Sequence, residues 1–194
     1  MNRQVPILRE TAEVRIQGML DLDGSGVATI ATGLGFLDHM LTAFTRHSGI
    51  DLELAADGDT HIDDHHTTED CAIALGRALD TALGDRSGIE RFGSAHVPLD
   101  ESLARAAVDL SGRGWPEIHL ALQRDMIGDV AAENLVHFLR TLSIEGRMAL
   151  HIDVLRGDND HHKAESAFKA TALAIRAAIV RDGDRVRSTK EVLG

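Results

Sequence analysis

The dipeptide His-His occurs twice in this chain, each time with a glutamate three residues on: His65-His66-Thr67-Thr68-Glu69 and His161-His162-Lys163-Ala164-Glu165. A lone histidine in a short apolar helical pattern precedes each copy, as Asp38-His39-Met40-Leu41 and as Val136-His137-Phe138-Leu139. His65 follows His39 by 26 positions and His161 follows His137 by 24. A fold compatible with this chain must therefore be built twice, with eight candidate metal ligands in two matched sets.

The surrounding pattern repeats in the same order. In the first half, Thr11 to Gln17 alternates apolar and polar residues. The turn Asp23-Gly24-Ser25-Gly26 leads to a second strand over 27–32, and Leu37, Met40, Leu41 and Phe44 fall at helical spacing. Ile50 to Leu54 alternates again. Asp63 or Asp64 then caps a helix running from His65 to about Leu83. The second half restates this with strands over 103–110 and 118–122 around Ser111-Gly112-Arg113-Gly114, then a short helix through Leu135, Phe138, Leu139 and Leu142. A strand over 148–155 follows, and an alanine-rich helix from His161 to Arg181 capped by Asn159 or Asp160. Similar length and order of elements argue for duplication. The expectation is an α+β fold, a two-layer α/β sandwich of two β-β-α-β-α halves with helices on one face of each sheet, divided at 1–90 and 91–194 within one unit.

Composition narrows the function. The net charge of −11 disfavours a broad nucleic-acid surface. No apolar run approaches the roughly 20 residues that span a bilayer, and the first residues lack an apolar signal core. A single cysteine, Cys71, excludes an intrachain disulfide and agrees with a reducing cytoplasm. Cys71 lies two residues after Glu69, on a different face of the helix, which suits a buried structural thiol.

On a helix, residues three and four apart share a face, so His65 or His66 can act with Glu69, and His161 or His162 with Glu165. Adjacent histidines point about 100° apart, which suits two different ions better than one. Imidazole and carboxylate without thiolate suit Mn²⁺, Fe²⁺, Co²⁺ or Zn²⁺. A lone histidine on an apolar helix ordinarily packs or caps, and it is the repetition of the whole constellation that favours metal. His61, His96, His119 and His151 fall outside the repeat and read as surface or strand residues.

Several blocks, in order, closely resemble the imidazoleglycerol-phosphate dehydratase family of histidine biosynthesis. They are Arg9-Glu10-Thr11-x-Glu13, Gly35-Phe36-Leu37-Asp38-His39-Met40-Leu41, Asp63-Asp64-His65-His66-Thr67-x-Glu69-Asp70, Pro98-Leu99-Asp100-Glu101, Asp109-Leu110-Ser111-Gly112-Arg113, Asn159-Asp160-His161-His162-x-x-Glu165-x-x-Phe168-Lys169-Ala170 and Ser188-Thr189-Lys190. In the tail, Arg187 and Glu191 stand where the family usually has proline and glycine, which bears on the tail's backbone path.

The resemblance implies a fold similar to the second domain of ribosomal protein S5, two Mn²⁺ per active site, and a homo-oligomer of twenty-four chains. One ion would take His39, His66, His161 and Glu165, and the other His65, Glu69, His137 and His162. Exchanging the halves converts one set into the other. The implied reaction converts imidazole glycerol phosphate, a small phosphorylated imidazole, to imidazole acetol phosphate and water. A dimanganese-bound imidazolate would serve as the electron sink for loss of the hydroxyl. Glu13 matches a substrate-contacting glutamate expected on the first strand, and His47 falls at a substrate-contact position. Glu13, Glu165 and His47 are therefore the acid–base candidates. Arg91, Arg113, Lys169, Ser188, Thr189 and Lys190 match positions that bind substrate and its phosphate. A dinuclear metallohydrolase or a non-catalytic metal-binding shell are the competing classes; neither accounts for the imidazole-dominated ligand set and the phosphate-type cluster together.

Overall fold

The computed structural model describes residues 3–190 and Leu193, so Glu191 lies outside the described residues. The first half consists of β1 (Gln4–Glu10), β2 (Val14–Asp21), β3 (Ala28–Ala31), α1 (Gly35–Ser48), β4 (Asp51–Gly58) and α2 (His65–Leu83). The second consists of β5 (Phe92–Leu99), β6 (Ser102–Asp109), β7 (Trp115–His119), a small hairpin of β8 (Met126–Ile127) and β9 (Val130–Ala131), then α3 (Ala132–Glu145), β10 (Ala149–Arg156) and α4 (Asp160–Ala178). The first sheet has the order β1-β2-β4-β3 and the second β5-β6-β10-β7. In each, the last-placed strand runs parallel to its neighbour while the other pairings are antiparallel.

Each half therefore opens with one more strand than the sequence pattern indicates. β1 and β5 are edge strands, and both carry residues that weaken a strand signal: Pro6 in β1, Gly93 and Pro98 in β5. Proline is tolerated at a sheet edge because its missing N–H faces away from the ladder. Only Ile7 of β1 and Val97 of β5 are buried, so neither strand shows full apolar alternation.

The strand expected from Thr11 starts at Val14. The Thr11 hydroxyl accepts the backbone N–H groups of Glu13 (3.2 Å) and Val14 (3.0 Å), closing a turn between β1 and β2. Glu13 consequently sits in a hairpin turn and not on a strand. At the other end, α4 stops at Ala178 rather than Arg181, because the chain turns out to bridge Arg181 with Ile89.

Helices α1 and α2 cover one face of the first sheet, and α3 and α4 one face of the second. The halves meet through these helices, α1 against α4 and α2 against α3. The core is correspondingly one continuous cluster. Phe44, Phe138 and Phe168, from three different helices, are among its largest fully buried side chains. Phe138 and Phe168 pack with ring centroids 5.7 Å apart.

Small residues let the layers approach. A Cβ on Gly93 in β5 would lie 1.9 Å from the carbonyl oxygen of Ala174 in α4. Cys71 is fully buried, and burial, followed by the nearby Asp70 carboxylate, pushes its thiol far above the ordinary range.

Candidate dinuclear metal centre

The helix pairing across halves carries the histidines with it. His39 on α1 meets His161 and Glu165 on α4, while His65 and Glu69 on α2 meet His137 on α3. Within each group of three, one ligand atom from every residue lies within 4.8 Å of the others. Oε2 of Glu165 stands 3.4 Å from Nε2 of His39 and 3.2 Å from Nε2 of His161. In the other group, Oε1 of Glu69 is 2.8 Å from Nε2 of His137, and its Oε2 is 4.0 Å from Nε2 of His65. The imidazoles of His65 and His137 stack at 5.2 Å, and the edge of Phe36 packs on His161 at the same separation.

Local structure holds the shorter helices, α1 and α3, in register through carboxylates from the opposite half. No side chain of its own segment caps α1. Instead, the carboxylate of Asp129, from the β8–β9 turn, accepts the N–H groups of Gly35 (2.6 Å) and Phe36 (2.9 Å). In return, Asp64 accepts from the N–H of Ala131, which caps α3, and from the Asn134 amide. Asn134 then turns its oxygen to Nδ1 of His65 at 2.9 Å. At the start of α2 it is Asp63 that accepts the His65 N–H, as Asn159 does for His161 at the start of α4. A hollow of 440 Å³ opens beside His65 and His137, lined also by Glu133, Asn134 and Arg140.

His66 and His162 stand outside both groups. Nδ1 of His66 is 3.0 Å from Asp59 and 3.7 Å from Glu13. Nδ1 of His162 is 2.8 Å from Glu101. Donating a hydrogen bond to Asp59 raises the pKa of His66, and donating one to Glu101 raises that of His162. Two N–H groups at the mouth of α4, Asn159 foremost, together with His162 hold the Glu101 carboxyl down at about 2.

Lys169 reaches back one turn, with Nζ 2.7 Å from Oε1 of Glu165. Burial would push the Glu165 carboxyl up, but the bond and charge of Lys169 prevail and hold it below the usual carboxylate range. His47 on α1 feels the same lysine: burial first, then the Lys169 charge, lower its pKa and favour the neutral ring.

The remaining substrate candidates gather elsewhere. Arg91, Arg113, Ser188, Thr189 and Lys190 line one pocket of 560 Å³ with Arg187 and Leu193; Lys169 does not line it. Arg91 is already engaged, paired with Asp109 at 2.7 Å and donating to the Arg187 carbonyl. Arg187 pins the tail through Glu90 (2.7 Å) and Asp182 (2.6 Å). Among the described residues, no side-chain bond occupies Arg113 or Lys190. The sequence reading did not single out Asp59, Asn134, Asp129 or a role for Glu101. Of these only Glu101 carried a signal, inside the block Pro98-Leu99-Asp100-Glu101.

Paired helices bring imidazoles and a carboxylate together twice, on a duplicated two-layer α/β frame with a cationic pocket, and so supply two groups that could hold a metal ion, the equipment of a metal-dependent enzyme. The imidazoleglycerol-phosphate dehydratase family profile matches residues 32–175. The chain belongs to that family, whose members are hydro-lyases. It is 48% identical over 193 residues to the imidazoleglycerol-phosphate dehydratase of Salinibacter ruber, covering 98% of this chain and 96% of that one. Its identity to the protein of the same name from Phytophthora nicotianae is 55% over 192 residues, and there the chain spans 42% of the relative's length. Among solved structures, the Staphylococcus aureus dehydratase superposes with a TM-score of 0.82 at 36% identity, covering 92% of this chain and 98% of that one. The Pyrococcus furiosus protein, solved in complex with (S)-C348, gives 0.83 at 35%, covering 96% and 99%.

Proposed function

We propose that this chain dehydrates imidazole glycerol phosphate to imidazole acetol phosphate and water in histidine biosynthesis, using two Mn²⁺ per active site. The observation that carries this reading is the pair of matched groups, each with one nitrogen from each of two imidazoles and one carboxylate oxygen within 4.8 Å of one another, in a chain of this family. The donor set fits a divalent ion of the Mn²⁺ class: nitrogen and oxygen, no thiolate.

His39, His161 and Glu165 would hold one ion and His65, Glu69 and His137 the other. Each group is one imidazole short of the four donors expected, and the two unused histidines, His66 and His162, stand outside both groups of their own chain. They are assigned to groups of neighbouring copies, which makes assembly a condition of the site and supports the homo-oligomer of twenty-four chains. No described helix is long and apolar enough to cross a membrane, and a cytoplasmic setting suits the buried thiol of Cys71.

When bound, such ions would supply Lewis-acid charge that lets the substrate ring take up electrons as the hydroxyl leaves. The chain supplies the rest. Glu13, exposed in its hairpin turn, moves a proton at the reacting carbons. The neutral His47 ring is available to accept a proton, and Lys169 keeps Glu165 ionised. Arg113 and Lys190, the cations of this pocket with no side-chain partner among the described residues, take the phosphate. Arg91, Ser188 and Thr189 shape the pocket around it. Binding the phosphate and the ring at separate places fixes the intervening carbons for reaction.

The test is turnover of imidazole glycerol phosphate by metal-stripped protein with and without Mn²⁺, following the ketone product. Turnover restored only by the ion is expected. No turnover, with two ions bound per chain and the assembly intact, overturns the reading in favour of a metallohydrolase or a metal-binding shell.

A further inference from the structure

We infer that Asp59 and Glu101 are matching positioning residues, each gripping Nδ1 of an outlying histidine so that Nε2 of His66 and of His162 is presented outward as a metal donor. The inference rests on the metal reading above and goes beyond it, because neither carboxylate is among the ligands or substrate contacts.

The four histidines inside the groups show which nitrogen is at stake. His39, His137, His161 and His65 all direct Nε2 at the glutamate of their group. An outlying histidine that joins such a group through the same atom needs its proton on Nδ1 and its lone pair on Nε2. An ionised carboxylate only accepts hydrogen bonds, so the contacts from Asp59 at 3.0 Å and Glu101 at 2.8 Å select that tautomer.

Both bonds are made, yet from different places in the chain. Glu101 lies in the hairpin turn between β5 and β6. The corresponding turn between β1 and β2 holds Glu13, which stops 3.7 Å short of His66 Nδ1. The acceptor there is Asp59, just past the end of β4. The same contact reached by two routes is not a passive remnant of the duplication. The backbone carbonyl of Asp59 closes a turn by accepting the Ile62 N–H at 2.8 Å, but its side chain takes no part in that turn. The carboxylate is 19% exposed, its other oxygen is buried with no partner among the described residues, and among those residues the contact with His66 is the one hydrogen bond the side chain makes. Glu101, by contrast, also accepts the N–H groups of Asp158 (3.2 Å) and Asn159 (2.9 Å), so Asp59 provides the cleaner variant.

The experiment has two readouts on the whole assembled protein. In metal-stripped, ¹⁵N-histidine-labelled protein, the neutral His66 ring is expected to carry its proton on Nδ1, and Asp59→Ala to abolish that preference. In Mn²⁺ titrations, Asp59→Ala is expected to weaken one of the two ions per chain by roughly 10-fold to 100-fold and Glu101→Ala the other, with Asp59→Asn and Glu101→Gln recovering part of the loss. Either an unchanged tautomer or unchanged Mn²⁺ affinity in the Asp59→Ala protein overturns the positioning role. Wild-type protein that takes up no Mn²⁺ sinks the metal reading instead, and the tautomer measurement then decides the role of Asp59 by itself.

Discussion

Glu165 is divided between two partners: Oε2 faces the imidazoles of His39 and His161, and Oε1 is held 2.7 Å from Nζ of Lys169. The lysine thus fixes the orientation of a carboxylate in a candidate metal group and sets a positive charge directly against it. Replacing it by methionine keeps the stem and removes the charged bond. Lys169→Met is expected to lower kcat/KM by roughly 10-fold to 100-fold, the scale of one charged hydrogen bond, while Mn²⁺ content stays at the wild-type level. Normal turnover in this variant removes Lys169 from the site.

Arg113 stands in a glycine-flanked turn with its guanidinium unengaged, whereas Arg91 in the same pocket is held by Asp109. Arg113→Ala should therefore raise KM by about 10-fold or more with metal content intact. The corresponding Arg91 variant should also loosen the tail, because Arg91 donates to the Arg187 carbonyl. If Arg113→Ala instead loses its metals, the phosphate assignment is wrong.

Asp51, at the start of β4, accepts the N–H groups of Val27 at 2.8 Å and Ser25 at 2.7 Å. The bond from Val27 leads in holding its carboxyl below the ordinary 3.8. A depressed carboxyl contributes stability that is present above its unfolded pKa and lost as pH falls through the folded one. Asp51→Asn should accordingly melt lower than wild type at neutral pH, with the gap closing only as the pH drops below about 3.8. Thermal melts across an acid series check this; a gap that does not depend on pH refutes it.

The contact of β5 with α4 leaves no room for a side chain at Gly93. Because the obstacle is the backbone carbonyl of Ala174, it has no rotamer to yield. Gly93→Ala is expected to cost about 1–3 kcal/mol in a denaturant titration. A neutral result would show that β5 can slide on the helix.

What the sequence made legible follows the strength of local pattern. The interior strands and all four long helices announce themselves through alternation or helical spacing, and α2 spans His65–Leu83, the limits expected from the Asp63-Asp64 cap and the pattern that follows it. The edge strands β1 and β5 are quiet because one buried side chain each suffices there. For the site, the repeat pointed to the histidines and glutamates as a set. What it could not show was the long-range geometry: α1 is capped by Asp129, some 90 residues away, and His65 is oriented by Asn134 from the opposite half. The position of Glu13 in a turn was missed for a smaller reason, since Thr11, Glu13, Arg15 and Gln17 alternate like a strand until the Thr11 hydroxyl takes the N–H of Val14.

Each metal group draws on one helix from each half, α1 with α4 and α2 with α3. A half-length ancestor carrying only the first type of helix pair would have had to build the same groups between two copies of itself, its short helix against the long helix of its twin. Within one chain that encounter is permanent rather than concentration-dependent. The joined halves also need not stay identical: the carboxylate of Glu13 in one hairpin stops 3.7 Å from His66, while its counterpart Glu101 in the other holds His162 at 2.8 Å.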